Sequence, residues 1–275
     1  MTAAAAPVTA GRSPARAGIT RRAGERAAGW LGLLAVAALW QVVAMILHKT
    51  VFPTFGSAMA AVGQVLGGPV LTRDVVPSIV RALIGFGISA VLGVAVGLTL
   101  GYLRRAGDYC TAVIDFLRSL PAPLLVPLAI VLLGLGGRMV VAVVVAAAVW
   151  PVLINAFDAA RRTETLYLDA ARACGLRGLP LLRVVLLPAA LPMVLAGLRI
   201  ALSTSLAVLV VAEMLGASSG IGYFIQDAQQ TFQVPQTYAG IIILAALGWI
   251  FDTAFLFAEH RLLRWEKALT GGADA

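Results

Sequence analysis

Long apolar stretches, separated by short polar segments, make up most of this chain. A helix needs about 20 mostly apolar residues to cross about 30 Å of hydrocarbon. Six stretches approach or exceed that length, so the pattern predicts an all-α fold with six membrane-spanning helices. The predicted spans are Trp30–Leu47, Ile79–Leu103, Leu120–Leu135, Met139–Phe157, Pro192–Leu215 and Tyr238–Ala258.

The composition supports a membrane protein. Hydrophobic residues make up 60% of the 275 residues and charged residues only 12%, whereas about 25% of residues are charged in an average soluble domain. A water-soluble globular enzyme is therefore excluded, since it would expose large apolar patches. A net charge of +8 would indicate nucleic-acid binding in a soluble protein. Here the basic residues lie between apolar stretches, so we expect contact with membrane lipid and no nucleic-acid partner.

The positions of the basic residues predict the orientation of the chain. With the N-terminus in the cytoplasm, sixteen of the 21 Lys and Arg residues fall in cytoplasmic segments. The others are Lys49, Arg73, Arg81 and Arg138, on or near the opposite side, and Arg199 inside the fifth span. Because cytoplasmic segments of membrane proteins carry an excess of Lys and Arg, we expect both termini in the cytoplasm.

The chain divides into four predicted regions. Residues 1–28, rich in Ala and Arg, are expected to form a disordered basic cytoplasmic tail. Residues 29–78 hold the first span and an extracytoplasmic connection, with a short helix near Gly56–Leu66; the span is long for a signal-peptide core. Residues 79–260 form a five-helix core and residues 261–275 a cytoplasmic tail. Within the core, Gly93, Gly97 and Gly101 recur at four-residue intervals, which predicts close helix packing.

The segment from Arg161 to Leu191 is unusually long for a connection between two spans. Connections between bundle helices usually need 2–8 residues, and this one has about thirty. Since it also contains a predicted helix of its own, we interpret it as a docking surface.

The helix of this segment has predicted ends and a predicted apolar face. Thr163 is expected to cap it, and Gly175 to end it in a left-handed conformation. Pro180 and Pro188 are expected to prevent a continuous helix into the next span. The apolar face would consist of Leu166, Leu168, Ala170, Ala171 and Ala173.

This segment resembles the cytoplasmic signature of permease subunits of bacterial ATP-binding-cassette importers. That signature reads EAA, three residues, Gly, nine residues, then I-x-L-P. The chain has Asp169-Ala170-Ala171, then Gly175 after three residues, and Val185-Leu186-Leu187-Pro188 after nine more. Asp replaces Glu and Val replaces Ile. The resemblance implies that the loop coupling the permease to the ATPase includes Asp169, Ala170, Ala171, Gly175, Val185, Leu187 and Pro188.

Two further segments, Leu181–Ser203 and Val210–Phe232, resemble permeases of the nitrate, sulfonate and taurine branch. The whole resemblance covers Phe52–Trp265. It implies the transmembrane domain of a type I importer in the bacterial inner membrane. It also implies a homodimer with a separate ATPase subunit and an extracytoplasmic solute-binding protein. The implied solute is small and anionic, such as a sulfonate, taurine or nitrate; an aromatic carboxylate or a thiamine precursor stays open.

The chain has no sequence for hydrolysing ATP by itself. A phosphate-binding loop ends in Gly-Lys-Ser/Thr, whereas Lys49 follows His48 and Lys267 follows Glu266. We therefore expect no catalytic residue and no cofactor in this chain, with ATP and magnesium bound by the partner ATPase. The two cysteines and two histidines are spaced for neither a disulfide framework nor a metal site.

Four residues of the fifth span are candidates for the translocation pathway, because polar groups inside a membrane are costly. Glu213 lies near the outer end, where a salt bridge or a solvated mouth is the alternative interpretation. Arg199 could contact an anionic solute, extend to the interface, or bind Asp252 or Glu259 of the last helix. The serine hydroxyls could instead bond to a neighbouring helix. The candidates are Arg199, Ser203, Ser205 and Glu213.

Two other function classes compete with the permease. A membrane-embedded enzyme would need paired carboxylates, a Ser/His arrangement or a metal cluster at one depth. An ion-coupled secondary transporter would usually need ionisable residues at mid-bilayer and often has an internal repeat. Glu213 and Asp252 lie on different predicted helices, and neither histidine is deep in a span. The sequence therefore favours a permease driven by a separate ATPase.

Overall fold

The computed structural model describes residues 32, 35–46 and 52–264. Within these ranges the chain is helical, with short turns and no strand, which confirms the all-α prediction. Three parts of the prediction lie outside the described residues: the tail over residues 1–28, positions 30, 31, 33, 34 and 47 of the first span, and residues 265–275. Two compact units are present, Met1–Ala58 and Met59–Ala275.

The first unit contains helix α1, Ala35–Ile46. Its Trp40 ring lies with its centroid 5.9 Å from that of Phe52 and 6.1 Å from that of Phe55. The Trp40 indole N–H donates to the carbonyl oxygen of Pro53 at 3.0 Å. The Phe55 amide donates to Gln41 Oε1 at 3.1 Å. These contacts fix the segment that follows α1 against the helix itself.

The remaining helices are joined mostly by short turns. A 3₁₀ turn, Ala122–Leu124, precedes α5, and α2 confirms the short helix predicted near Gly56–Leu66. The helices are α2 (Phe55–Gly67), α3 (Leu71–Tyr102), α4 (Arg104–Arg118), α5 (Leu125–Leu133), α6 (Gly137–Arg162), α7 (Thr165–Ala173), α8 (Leu179–Gly216), α9 (Ile221–Gln230) and α10 (Val234–Leu262).

In the described part of the chain, four helices are long and apolar enough to cross a membrane: α3, α6, α8 and α10. The predicted third span, Leu120–Leu135, is instead the second arm of a bent pair, in which α4 and Ala122–Leu133 meet at 78°. Pro121 has extended backbone at the bend, and its missing amide cannot continue the helical hydrogen bonds of α4. This pair forms one broken span or a re-entrant loop.

Helices α3, α6 and α8 form the centre of the bundle. The four-residue glycine repeat faces α6, and the predicted close helix packing is confirmed. A Cβ at Gly93 would lie 2.6 Å from the Val152 Cβ, and one at Gly101 would lie 2.6 Å from the Phe157 carbonyl oxygen. A Cβ at Gly97 would collide with the carbonyl oxygen of Leu153. The two helix backbones therefore approach each other too closely for any larger residue.

We predict that Gly97→Val destabilises the folded bundle by about 1–3 kcal/mol, because overpacking forces the helices apart. Gly87→Val is the matched control, since Gly87 lies on the same helix with open space around its Cβ position. The measurement is the unfolding temperature of the purified variants in detergent. Equal unfolding temperatures for the two variants would contradict the close approach of α3 and α6.

The prediction that Pro180 and Pro188 interrupt the chain before the next span is wrong. Helix α8 runs continuously from Leu179 to Gly216. Pro180 lies in the first turn, where its missing amide costs nothing. Pro188 follows a π-helical turn, Leu182–Leu186, whose closing bond runs from the Leu187 amide to the Leu182 carbonyl. The wider turn accommodates the proline ring and its missing donor.

Candidate functional site

Helix α7 lies in the long segment that the sequence singled out, but Thr163 does not cap it. The helix begins at Thr165, and Glu164 precedes it without a side-chain capping bond. The Thr163 hydroxyl instead donates to the Ala159 carbonyl oxygen at 3.0 Å, inside the last turn of α6. Thr163 is extended at the end of α6, so its side chain is committed to the preceding helix.

The end of α7 at Gly175 is confirmed. Gly175 has φ +83°, in the left-handed region. The Gly175 amide donates to the Arg172 carbonyl oxygen at 3.0 Å, and the Leu176 amide to that of Ala171, also at 3.0 Å. This pair of bonds is the Schellman arrangement, in which a glycine at the left-handed position closes the helix.

The apolar face of α7 is narrower than predicted. Leu168 and Ala171, three residues apart, are 8% and 7% exposed and pack onto the bundle. Leu166, Ala170 and Ala173 are exposed. The small signature residue Ala171 is therefore buried in its own chain, where a larger side chain would displace α7.

The second half of the signature lies beside the first. Val185 and Leu187 are half-buried and Pro188 is exposed, at the base of α8. A groove of about 640 Å³ runs between α7 and this part of α8. We name it the α7–α8 groove; its lining residues are Tyr167, Ala170, Ala171, Cys174, Leu176, Val184, Val185, Pro188 and Ala189.

The charged residues of α7 are Asp169 and Arg172. The Asp169 side chain is 66% exposed and accepts a bond from Arg172 Nη1 at 2.9 Å. The Arg172 guanidinium also lies 5.9 Å from the Tyr102 ring centroid, at the end of α3. Tyr102 first, and Asp169 second, raise the pKa of Arg172. Through its contact with Tyr102, Arg172 links α7 to the end of α3.

Glu213 occupies a second polar centre, near the far end of α8. Its side chain is completely buried. Arg81 Nη1 of α3 lies 2.8 Å from Glu213 Oε1. The Ser78 hydroxyl lies 2.8 and 2.7 Å from the two carboxylate oxygens and donates to them. The interpretation of Glu213 as a salt-bridge partner is confirmed.

The same centre binds the first turn of α9, whose amides have no carbonyl partner within the helix. The Gly220 amide donates to Asp74 Oδ1 at 2.9 Å, and the Ile221 amide donates to Ser78 Oγ at 2.7 Å. The Gly222 amide donates to the buried carboxylate at 3.0 Å. Side chains from α3 and α8 therefore cap α9 from outside the helix.

Arg81 completes this centre by holding the turn before α9. It donates from Nη1 to the Ser219 carbonyl oxygen at 2.7 Å and from Nη2 to Ser219 Oγ at 2.8 Å. We name the group Asp74, Ser78, Arg81, Glu213 and Ser219 the Glu213 cluster. Sequence reasoning found only Glu213 as a candidate. The signal for the rest was a run of polar residues, Asp74, Ser78 and Arg81, at helical spacing on α3.

The other pathway candidates lie nearer the middle of α8. Arg199 forms a two-pronged ion pair with Asp252 of α10, with Nε 3.0 Å from Oδ1 and Nη2 3.2 Å from Oδ2. This is one of the partners expected from the sequence. Ser203 is exposed one turn further along. Ser205 is buried and donates to the Ala201 carbonyl oxygen at 2.8 Å, within its own helix.

The described residues contain no group of three His, Cys, Asp or Glu side chains placed to hold a metal ion. What the structure brings together is instead an open groove at one end of the bundle, a buried cap at the other and an exposed ion pair between them.

The family model of the binding-protein-dependent transport system inner membrane component matches residues 89–264. The chain belongs to this family. Members are permease subunits that carry out transport and are not themselves enzymes. The match runs from within α3 to the end of the described residues, so it includes the α7–α8 groove, Glu213 and the Arg199–Asp252 pair.

Relatives of this ATP-binding-cassette permease include proteins named for the transport of aliphatic sulfonates and of bicarbonate. The aliphatic sulfonates transport permease protein SsuC of Bacillus subtilis is 32% identical, over 92% of this chain and 94% of that protein. SsuC of Escherichia coli is 32% identical over 88% of this chain and 93% of that protein. The bicarbonate transport system permease protein CmpB of Synechococcus elongatus is 32% identical over 69% and 68%.

A solved structure shows the same fold. The inward-facing MetNI methionine ABC transporter matches with a TM-score of 0.60 and 21% identity, covering 71% of this chain and 95% of that chain. At this identity the likeness concerns the fold alone. It supports the all-α membrane fold of this chain.

Proposed function

We propose that two copies of this permease form the translocation pathway for a small anionic solute, with a sulfonate as the first candidate. A separate ATPase drives transport, and an extracytoplasmic solute-binding protein delivers the solute. The observation that carries this proposal is the sulfonate permease of Bacillus subtilis, 32% identical over nearly the full length of both chains.

The ATPase contact is proposed to be the α7–α8 groove. Its lining includes exposed apolar side chains, with Tyr167 56% and Val184 63% exposed. Exposed apolar surface of this kind is typical of a protein interaction site. The signature residues Ala170 from α7 and Pro188 from α8 both line it, which supports docking of one partner across both helices.

The anionic nature of the solute is supported by the relatives. Two are named for aliphatic sulfonates and one for bicarbonate. To test this, the permease should be purified with its ATPase and solute-binding protein and placed in liposomes. We expect ATP-dependent uptake of radiolabelled ethanesulfonate or taurine to exceed that of nitrate and bicarbonate. A complex that hydrolyses ATP but takes up none of these anions would contradict the proposal.

The proposed orientation, with the α7–α8 groove in the cytoplasm, is tested with cysteine labelling. Cys174 is already exposed beside the groove, and Ser218 is exposed in the turn before α9. In intact cells, a membrane-impermeant maleimide should label Ser218→Cys and should leave Cys174 unmodified until the cells are opened. Labelling of Cys174 from outside would overturn the proposed orientation.

A further inference from the structure

The exposed faces of the spanning helices differ in chemistry. On α3, the exposed residues from Val80 to Val96 are large and aliphatic apart from Ala95, as a lipid-facing surface requires: Val80, Leu83, Ile84, Ile88, Val91, Leu92 and Val96. On the middle of α8, between Val194 and Leu209, the exposed residues are Ala196, Arg199, Ile200, Ser203 and Ala207. Only Ile200 among them is a large aliphatic residue. This part of α8 is therefore poorly suited to face hydrocarbon.

The Arg199–Asp252 ion pair is a second reason why this part of α8 is poorly suited to face hydrocarbon. Its side chains are 47% and 41% exposed, although both lie within helices that are apolar and long enough to span a membrane. Aspartate has a single methylene group and cannot extend to the interface as arginine does. Asp252 lies ten residues before the end of α10, a rise of about 15 Å. An ion pair at that position in lipid is costly, so it faces water or protein.

Arg199 also has unused hydrogen-bond donors. A guanidinium carries five N–H groups, and the pair with Asp252 uses Nε and Nη2. The remaining N–H groups have no acceptor among the residues that the structure describes. An arginine edge of this kind binds a carboxylate, sulfonate or similar planar or tetrahedral anion through two parallel bonds. Ser203 supplies a hydroxyl one turn away on the same exposed face.

From these observations we propose that Arg199, with Ser203, is a contact site for the solute's anionic group inside the translocation pathway. The inference rests on the proposed function and adds the residues that meet the anion. In this proposed site, the Asp252 carboxylate competes with the anionic group of the solute for the Arg199 guanidinium. The site therefore binds an anion weakly, which lets the solute pass on rather than remain bound.

The test measures water access and anion binding at Ser203. Ser203→Cys is made in a chain whose two native cysteines are serine, after uptake by this parent is measured, and the complex is placed in lipid nanodiscs. A charged thiosulfonate reagent should modify Ser203→Cys. It should not modify the matched control Val91→Cys, which is 69% exposed on the aliphatic face of α3. Ethanesulfonate should slow modification of Ser203→Cys.

Two variants assign the anion contact to Arg199. Arg199→Gln should raise the ethanesulfonate concentration needed for protection about tenfold or more, because the charge-assisted bonds are lost. Asp252→Asn should lower it about tenfold, because the competing carboxylate is removed. Membrane abundance of each variant is measured, and the two opposite shifts separate anion binding from a purely structural role.

Three results would overturn the inference. They are no modification of Ser203→Cys, modification without protection by ethanesulfonate, and disulfide cross-linking of Ser203→Cys between two copies without modification. The last would identify this face as a subunit contact. ATP-driven uptake by the unaltered complex is measured separately. If that complex takes up the anion but Ser203→Cys is not modified, only this inference is overturned. Absence of anion uptake overturns the proposed function instead.

Discussion

Replacing Glu213 with alanine should destabilise the folded permease by about 3–5 kcal/mol, because Arg81 would keep a charge without its buried partner. The Gly222 amide and the Ser78 hydroxyl would also lose their acceptor. Glu213→Gln keeps the shape and some of these bonds, so its loss should be smaller. The measurement is the unfolding temperature in detergent, together with the amount of protein in the membrane.

Arg81→Ala and Arg73→Ala form the matched pair for this prediction. Both remove one arginine from the same helix, but Arg73 is exposed and Arg81 is bound to Glu213 and Ser219. We expect Arg81→Ala to lower the unfolding temperature and Arg73→Ala to leave it nearly unchanged. The double variant Arg81→Met with Glu213→Leu should lose less stability than either single removal, since no unpaired charge remains. Equal stability of Glu213→Ala and the native chain would contradict the cluster.

Ala170→Glu should abolish ATPase binding and transport while the bundle stays folded. Ala170 is exposed and lines the α7–α8 groove, so a carboxylate there would stand unpaired in the proposed contact. Ala173→Glu is the matched control, because Ala173 is exposed on the same helix but lies outside the groove lining. Co-purification of the ATPase and solute uptake are measured with both variants. Full binding by Ala170→Glu would show that the groove is not the docking surface.

Gly175→Val tests the position of α7 as a whole. A side chain at φ +83° costs about 1–2 kcal/mol, and relieving that strain would turn α7 away from the groove. The space around Gly175 is open, so any effect comes from the backbone conformation and not from a collision. We expect normal membrane abundance with loss of ATPase co-purification. Retention of both would contradict the role of the left-handed cap.

The contacts of Ala171 could be predicted only in part from its place in the coupling signature. Its place in the signature implied a contact with the ATPase, together with its neighbour Ala170. Both residues line the groove, but Ala171 is 7% exposed and packs on the bundle, whereas Ala170 is exposed. Helical spacing alone shows which residues share a face, but two adjacent residues point about 100° apart, and only the bundle decides which one turns inward.

The sequence by itself determined the membrane class, four of the six predicted spans, the close packing at the glycine repeat on α3 and the end of α7 at Gly175. Each depends on local properties: apolar length, residue size and the backbone freedom of glycine. The sequence predicted the effect of Pro188 wrongly, because that effect depends on the backbone turn that precedes the proline. Pro188 is accommodated by a π turn rather than ending the helix.

Only the tertiary structure decided the partners of the charged residues. Arg81 and Glu213 are 132 residues apart, and Arg199 and Asp252 are 53 apart. A single charge inside an apolar stretch indicates that a partner must exist, because an unpaired charge there is costly. Which partner it finds depends on the packing of α3, α8 and α10, and no local pattern contains that information. The same packing determines that Glu213 is buried in a structural cap, whereas Arg199 is left open to the space beside the bundle.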